Sequence, residues 1–257
     1  MSFSIDQYAY RTRLREIDPA LKVFLAAEVI LLVLWVNSPK TSAVAFVVMV
    51  ALSVWLVGVP LRMVGKLLLA EALFLALSLI GIVLSFSLTQ PTDGVMWSIS
   101  VGAVVVSTSP AAIAQGGALL LRAMACAAAL AFLIFSTPLI DGIEVMRRLR
   151  LPALLIDLFQ MIYRFIFVML ERLIQMQIAQ QSRLGDANAR ALMRSSALLA
   201  SNLFLDIFRR NQRLQMALDS RCFEGELRIL PLQYKRDYRW LALAGAISVL
   251  LIGVARL

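Results

Sequence analysis

Long apolar stretches alternate with short polar connections along most of this chain. Five stretches reach or approach the roughly 17–25 residues that a membrane-spanning helix needs: Ala20–Val36, Thr41–Val57, Leu67–Leu88, Ala118–Thr137 and Trp240–Ala255. Their apolar residues are continuous rather than alternating, which favours helices over the strands of a barrel. The pattern predicts an all-α fold, a polytopic membrane helix bundle with about five transmembrane helices.

The region between the fourth and fifth stretches follows a different pattern. Apolar residues recur there every three or four positions, first from Leu151 to Met176 and then from Ala187 to Ser220, which predicts long amphipathic helices. Two similar tripeptides end these helical patterns: Ser182-Arg183-Leu184 and Ser220-Arg221-Cys222. We therefore expect three parts: a bundle of four spans over 1–138, an amphipathic region over 139–238, and a final transmembrane helix over 239–257.

Composition supports a membrane protein and argues against a soluble domain. The chain is 61% apolar with a mean hydropathy of +0.83, whereas soluble domains are about 45–50% apolar. Asp18-Pro19 has the form of a helix cap followed by proline at the first helical position. We expect the first span to begin there and to be retained rather than cleaved as a signal.

The distribution of positive charge predicts the orientation. The net charge is +9, and the region 139–238 holds fifteen of the 25 basic residues, while the connection Thr89–Gly117 has none. By the positive-inside rule, the N-terminus and the region 139–238 of this multi-pass protein are expected to face the cytoplasm. Such charge sets topology and meets the lipid bilayer, so we expect no nucleic-acid partner.

The inventory of reactive side chains argues against catalysis. Histidine is absent from the sequence, and the two cysteines, Cys126 and Cys222, are too far apart in sequence to form a CxxC metal motif. No Walker motif or nucleophile elbow occurs. We expect a chain that is not an enzyme and holds no cofactor or metal.

Two carboxylates fall within predicted spans. Glu28 lies near the middle of the first stretch, and Glu71 lies about one turn into the third. Intramembrane carboxylates are candidates for function. We retain both residues for a role either in transport or in helix packing.

The two arginines at the predicted helix ends, Arg183 and Arg221, have two explanations. A cation at a helix C-terminus complements the macrodipole by about 0.3–1 kcal/mol. A guanidinium can also pair bidentately with a carboxylate of a partner. The repetition favours a shared binding role.

Several motifs together resemble the CbiQ family, the transmembrane components of energy-coupling-factor transporters for cobalt or nickel. The resemblance rests on Ile5-Asp6-Gln7-Tyr8-Ala9-Tyr10, on Arg13-Leu14, on Asp18-Pro19 with Lys22, and on the two arginine motifs. The commonest family motif has a small residue before the arginine and glycine after it. Ser182 and Ser220 keep the small residue, whereas Leu184 and Cys222 stand at the glycine positions.

The resemblance implies a coupling subunit of an ATP-driven importer. Arg183 and Arg221 would each dock on one of two cytoplasmic ATPase subunits, which bind the ATP. A separate membrane subunit would hold the metal. The resemblance leaves open whether the transporter contains a further small membrane subunit. Two alternatives also stay open: the transmembrane component of a vitamin transporter, and a self-sufficient secondary transporter or intramembrane enzyme.

Overall fold

The computed structural model describes residues 12, 14–15, 17–83, 85–87, 97–101, 104–183, 185, 187–222, 234 and 238–256. The opening motif at 5–10, Arg13 and Leu184, named above, lie outside the described residues. The described helices are α1 (Pro19–Val36), α2 (Pro39–Trp55), α3 (Leu61–Val83), α4 (Pro110–Ser136), a 3-10 turn (Leu139–Asp141), α5 (Gly142–Arg148), α6 (Ala153–Gln181), α7 (Ala189–Asp219) and α8 (Tyr238–Arg256).

Helix α1 begins and ends at residues suited to those positions. The Asp18 side chain accepts a hydrogen bond of 3.0 Å from the Ala20 N–H, and Pro19 occupies the first helical position. At the other end, Asn37 takes the left-handed conformation with φ 50°, which its short polar side chain tolerates. The predicted start of the first span at Asp18-Pro19 is confirmed.

Helix α4 lies at the centre of the bundle and packs against α1, α2 and α3. Small residues on one face of α4 are fully buried, among them Ala125, Ala128 and Ala129, which allows close approach of neighbouring helices. Larger side chains complete the core, including Leu25, Val29, Met49, Phe132, Phe135 and Leu251. Helix α8 packs against α1 and α2.

The connection between α3 and α4 contains β-structure that the sequence analysis did not predict. Its described residues form three short strands, β1 (Ser85–Ser87), β2 (Trp97–Val101) and β3 (Val104–Thr108), in an antiparallel sheet of order β1-β3-β2. Helix α4 then begins at Pro110, eight residues before the predicted span at Ala118. The reason is local: the Ser109 hydroxyl accepts a 3.1 Å hydrogen bond from the Ala112 N–H, and proline follows the cap.

The chain divides into two compact units. The first comprises Met1–Gly142 and Leu232–Leu257, and the second comprises Ile143–Pro231. Among the described residues, four helices are long and apolar enough to cross a membrane: α1, α4, α6 and α7. Helix α2 and the Trp240–Arg256 part of α8 are shorter apolar helices. The predicted helical bundle with two long amphipathic helices is confirmed.

Candidate functional site

The first arginine motif forms the end of α6. The Ser182 hydroxyl donates a 2.9 Å hydrogen bond to the Ile178 carbonyl, and the Arg183 N–H donates one of 3.0 Å to the Gln180 carbonyl. The bond from Arg183 satisfies a carbonyl that the helix end would leave free, and the Ser182 hydroxyl adds a second donor to the Ile178 carbonyl, which already accepts the Ser182 N–H. The Arg183 side chain is exposed and forms no ion pair within the described part of the chain.

The second motif forms the end of α7 in the same way. The Ser220 hydroxyl donates a 2.9 Å hydrogen bond to the Ala217 carbonyl, and the Arg221 N–H donates one of 2.9 Å to the Leu218 carbonyl. Arg221 is exposed, and its guanidinium has no ion-pair partner among the residues described. The two arginines thus leave their helices through turns with the same backbone hydrogen bonds.

Cys222 adopts a conformation that favours glycine. Its φ is 55°, in the left-handed region, and its side chain is exposed. Glycine is the usual residue at such a helix end because it has no Cβ to clash with the following carbonyl. Cys222 therefore keeps the turn geometry of a glycine after the arginine, at the cost of some backbone strain.

The corner between α6 and α7 is built around Gln180 and Ser195. Gln180 Nε2 donates a 2.9 Å hydrogen bond to the Ser195 carbonyl, and the Ser195 hydroxyl donates one of 2.8 Å to the Gly185 carbonyl. The Gly185 N–H in turn donates to the Gln180 carbonyl at 3.0 Å. A cavity of about 270 Å³ lies beside this corner, lined also by Leu173, Gln177, Leu192 and Leu199.

Helices α6 and α7 run antiparallel from this corner. Arg172 Nε lies 3.8 Å from Asp206 Oδ2, and both side chains are partly exposed, so this ion pair adds little stability. The 31 residues of α7 span about 46 Å at 1.5 Å per residue. The two arginine motifs therefore lie near opposite ends of α7, far enough apart for two separate contacts.

Helix α7 is the most exposed long helix in the described part of the chain, since none of its residues is buried. Phe204 and Phe208 are exposed and stack with ring centroids 6.2 Å apart. Arg209 and Arg210 follow directly and are also exposed. An exposed face of this kind, apolar and basic together, is typical of a surface that another component covers.

The two carboxylates in the predicted spans, Glu28 and Glu71, have different surroundings in the structure. Glu28 on α1 accepts a hydrogen bond from the Ser248 hydroxyl on α8. It also lines an open groove of about 320 Å³ together with Phe24, Ala27, Leu31, Leu32 and Trp35. Glu71 on α3 has one buried oxygen, Oε2, with no hydrogen-bond partner among the described residues.

Sequence reasoning missed a polar cluster at the start of α1. The Lys22 side chain has no exposed surface, and its Nζ donates a 3.1 Å hydrogen bond to the Ser136 carbonyl at the end of α4. Asp141 is buried nearby and accepts a 3.0 Å hydrogen bond from the Tyr234 hydroxyl. The signal was in the sequence, because Lys22 falls on the same face as Leu25 and Val29.

The described residues contain no group of three or more His, Cys, Asp or Glu side chains suited to hold a metal ion. The most distinctive features are instead a helical bundle with a buried core and two long helices with exposed ends.

Together these features define a helical protein with several helices long and apolar enough to cross a membrane and with two long helices whose ends are exposed. The sequence matches the family model for the cobalt transport protein CbiQ over residues 11–230. The chain belongs to the CbiQ cobalt transport family, as its motifs predicted, and it is a membrane component of cobalt transport.

Known relatives support this membership. The chain is 24% identical to the cobalt transport protein CbiQ of Salmonella typhimurium over 88% of its own length and 99% of that protein. It is 26% identical to an uncharacterized protein of Methanocaldococcus jannaschii over 98% of its length and 92% of that protein. It is also 27% identical to a protein of Methanocorpusculum labreanum described as a fused cobalt transport protein CbiMQ, over 86% of this chain and 36% of that protein.

Proposed function

We propose that this chain is the transmembrane coupling subunit of an ATP-driven energy-coupling-factor importer for cobalt or nickel. The observation that carries the proposal is the equivalence of Arg183 and Arg221, both exposed, whose N–H groups make the same backbone hydrogen bond near opposite ends of α7. In this proposal each arginine binds one of two cytoplasmic ATPase subunits. The ATPases bind and hydrolyse ATP, and this chain transmits their movement without catalysing a reaction.

Arginine suits this role for a physical reason. Its guanidinium stays charged, presents donors in a planar fork and pairs bidentately with a carboxylate. The side chains of Arg183 and Arg221 have no competing ion pair within the described residues, so docking would not require an internal bond to break first. The backbone hydrogen bonds at each turn tie the arginine to its helix. A displaced arginine would therefore move α6 or α7.

The charges on the long helices support a cytoplasmic or interfacial position for them. Helix α7 carries five arginines and two aspartates: Arg190, Arg194, Asp206, Arg209, Arg210, Arg213 and Asp219. A charged side chain at the centre of a bilayer costs about 2.5–3.5 kcal/mol even on permissive scales. In this proposal α7 therefore lies outside the hydrocarbon, although its length would suffice to cross it, and the N-terminus of the chain faces the cytoplasm of a bacterial inner membrane.

The metal is proposed to bind a separate membrane subunit. The relative of Methanocorpusculum labreanum joins a CbiQ part to another part in one fused chain, which supports a membrane partner that this chain meets non-covalently. The absence of histidine from the sequence supports a coupling role over a metal-holding role.

Co-purification tests the proposal. The chain is expressed with the ATPases and the membrane subunit of its operon, as wild type, Arg183→Ala, Arg221→Ala and the double variant. Removing one partner of a desolvated charge pair costs about 2–5 kcal/mol, so each single variant should retain markedly less ATPase and the double variant none. The matched control is Arg62→Ala with Arg164→Ala, two exposed arginines on α3 and in the middle of α6, outside both motifs. Equal loss in the control, or full retention in the double variant, would refute the proposal.

A further inference from the structure

The chain passes between its two units at two places that meet in the first unit. It leaves the first unit after Gly142 and returns at Leu232. Asp141 immediately precedes the exit, and Tyr234 follows the return. The Tyr234 hydroxyl donates a 3.0 Å hydrogen bond to Asp141 Oδ1. The exit and the return are thus joined directly, although 93 residues separate them in sequence.

Lys22 connects this junction to the bundle. Its side chain is fully buried on α1, and Nζ donates to the Ser136 carbonyl at the C-terminal end of α4. The negative end of the α4 dipole favours a cation there. The positive charges of Lys22 and Arg15 also act on the Asp141 carboxylate, partly opposing the effect of its burial. The cluster therefore contains a buried lysine and a buried aspartate from different segments.

Burying these groups is a costly way to obtain stability alone. A buried charge without a close partner of opposite charge is strongly destabilising. Asp141 Oδ2 is buried and has no hydrogen-bond partner among the described residues. What distinguishes the cluster is its position in the chain. It joins the residue just before the chain leaves the first unit to a residue just after the chain returns to it.

We propose that Lys22, Asp141 and Tyr234 are positioning residues of the transport cycle that form a junction latch. The latch holds the exit and the return of the second unit to the start of α1 and the end of α4. Movement of α6 and α7 is then passed to the bundle instead of being lost in the two connections. This inference rests on the proposed coupling function, since it names the point through which the movement passes.

Hydrogen exchange on the full chain in detergent tests the latch without any partner. Tyr234→Phe removes one hydroxyl and keeps the ring, so the fold should survive. We expect several-fold faster exchange at the amides of Asp141 and Gly142, which bond to the preceding turn, and no change in α2. Lys22→Met should produce a larger effect, with Lys66→Met, an exposed lysine on α3, as its control. Unchanged exchange in Tyr234→Phe would show that no latch exists.

Reconstitution with the ATPases and the membrane subunit tests the transmission. Tyr234→Phe should retain the ATPases at the wild-type level and hydrolyse ATP, but should import several-fold fewer Co²⁺ ions per ATP. An unchanged ratio would overturn the transmitting role even if exchange is faster. A wild-type chain that never retains ATPases would refute the proposed function instead, and this outcome is visible before any variant is compared.

Discussion

Gln180 and Ser195 join the end of α6 to the start of α7 through a 2.9 Å hydrogen bond from Gln180 Nε2 to the Ser195 carbonyl. Gln180 also accepts the N–H groups of Arg183 and Gly185 at its carbonyl. One residue therefore organises both the first arginine motif and the corner beside it. A rigid corner suits a contact that must move a helix rather than bend a loop.

The first prediction concerns Gly185 in this corner. A Cβ at this position would lie 3.0 Å from the Gln180 carbonyl oxygen and 3.3 Å from Ser195 Cβ, so Gly185→Ala must shift the backbone that carries Arg183. We expect ATPase retention in the co-purification assay to fall nearly as far as in Arg183→Ala. Gly245→Ala is the control, because a Cβ there meets nothing within 4 Å. Wild-type retention by Gly185→Ala would show that the corner does not position the arginine.

The second prediction concerns Cys222. The left-handed conformation costs an L-residue about 1–2 kcal/mol, so Cys222→Gly should keep ATPase retention and leave Tm unchanged or slightly higher. A β-branched residue is a poor fit at φ 55°. Cys222→Val should therefore displace Arg221 and lower the amount of ATPase that the chain retains. Tm in detergent and co-purification measure both effects. Equal Tm and equal ATPase retention in the two variants would contradict a role for this turn in positioning Arg221.

The third prediction concerns Arg122, which caps the end of α1. Its Nη1 donates a 2.8 Å hydrogen bond to Asn37 Oδ1, and its Nη2 donates one of 2.7 Å to the Leu34 carbonyl. We expect Arg122→Leu to destabilise the bundle by about 1–2 kcal/mol, since hydrogen bonds to a charged group contribute somewhat more than neutral ones. Thermal unfolding in detergent provides the measurement. Arg62→Leu, which changes an exposed arginine on α3, should have little effect, and equal losses would argue against the cap.

The fourth prediction concerns the pH dependence of Asp141. Burial raises the pKa of this carboxyl, and the hydrogen bond from Tyr234 and the charges of Lys22 and Arg15 offset the rise only in part. A carboxyl with a higher pKa in the folded chain binds protons more tightly when folded. Its contribution to stability is therefore greatest at low pH and declines as pH rises through the folded value.

The comparison of wild type with Asp141→Asn isolates this contribution. As pH rises through the folded pKa of Asp141, the Tm of wild type should fall relative to that of Asp141→Asn, which has no charge to bury. Other carboxyls titrate equally in both proteins, so the difference in Tm reports on Asp141 alone. A difference that does not vary with pH would contradict the assignment.

Much of the fold could be predicted from the sequence because its signals are local. Continuous apolar stretches indicated the spans, and Asp18-Pro19 indicated where the first begins. Spacing of three and four residues indicated α6 and α7. The early start of α4 was missed although its signal, Ser109-Pro110, is also local, because the span was placed by its continuous apolar run from Ala118 alone.

The contacts between distant residues could not be predicted, because no local pattern encodes them. Ser248 meets Glu28 across 220 residues, and Tyr234 meets Asp141 across 93. The burial of Lys22 depends on the carbonyl of Ser136, which α4 brings to it. Hydrophobic periodicity places Lys22 on the buried face of α1, but only the fold supplies the partner that makes this burial tolerable.

Thiol labelling at Cys222 tests the central claim most directly. Cys222 is exposed and adjacent to Arg221, whereas Cys126, the other cysteine, is half-buried on α4 against the bundle core and serves as an internal control. We predict that bound ATPase slows the reaction of maleimide with Cys222 by about tenfold, which corresponds to about 1.4 kcal/mol of protection. Arg221→Ala should abolish this protection. Reaction at Cys222 that proceeds equally fast with and without ATPase would contradict the central claim.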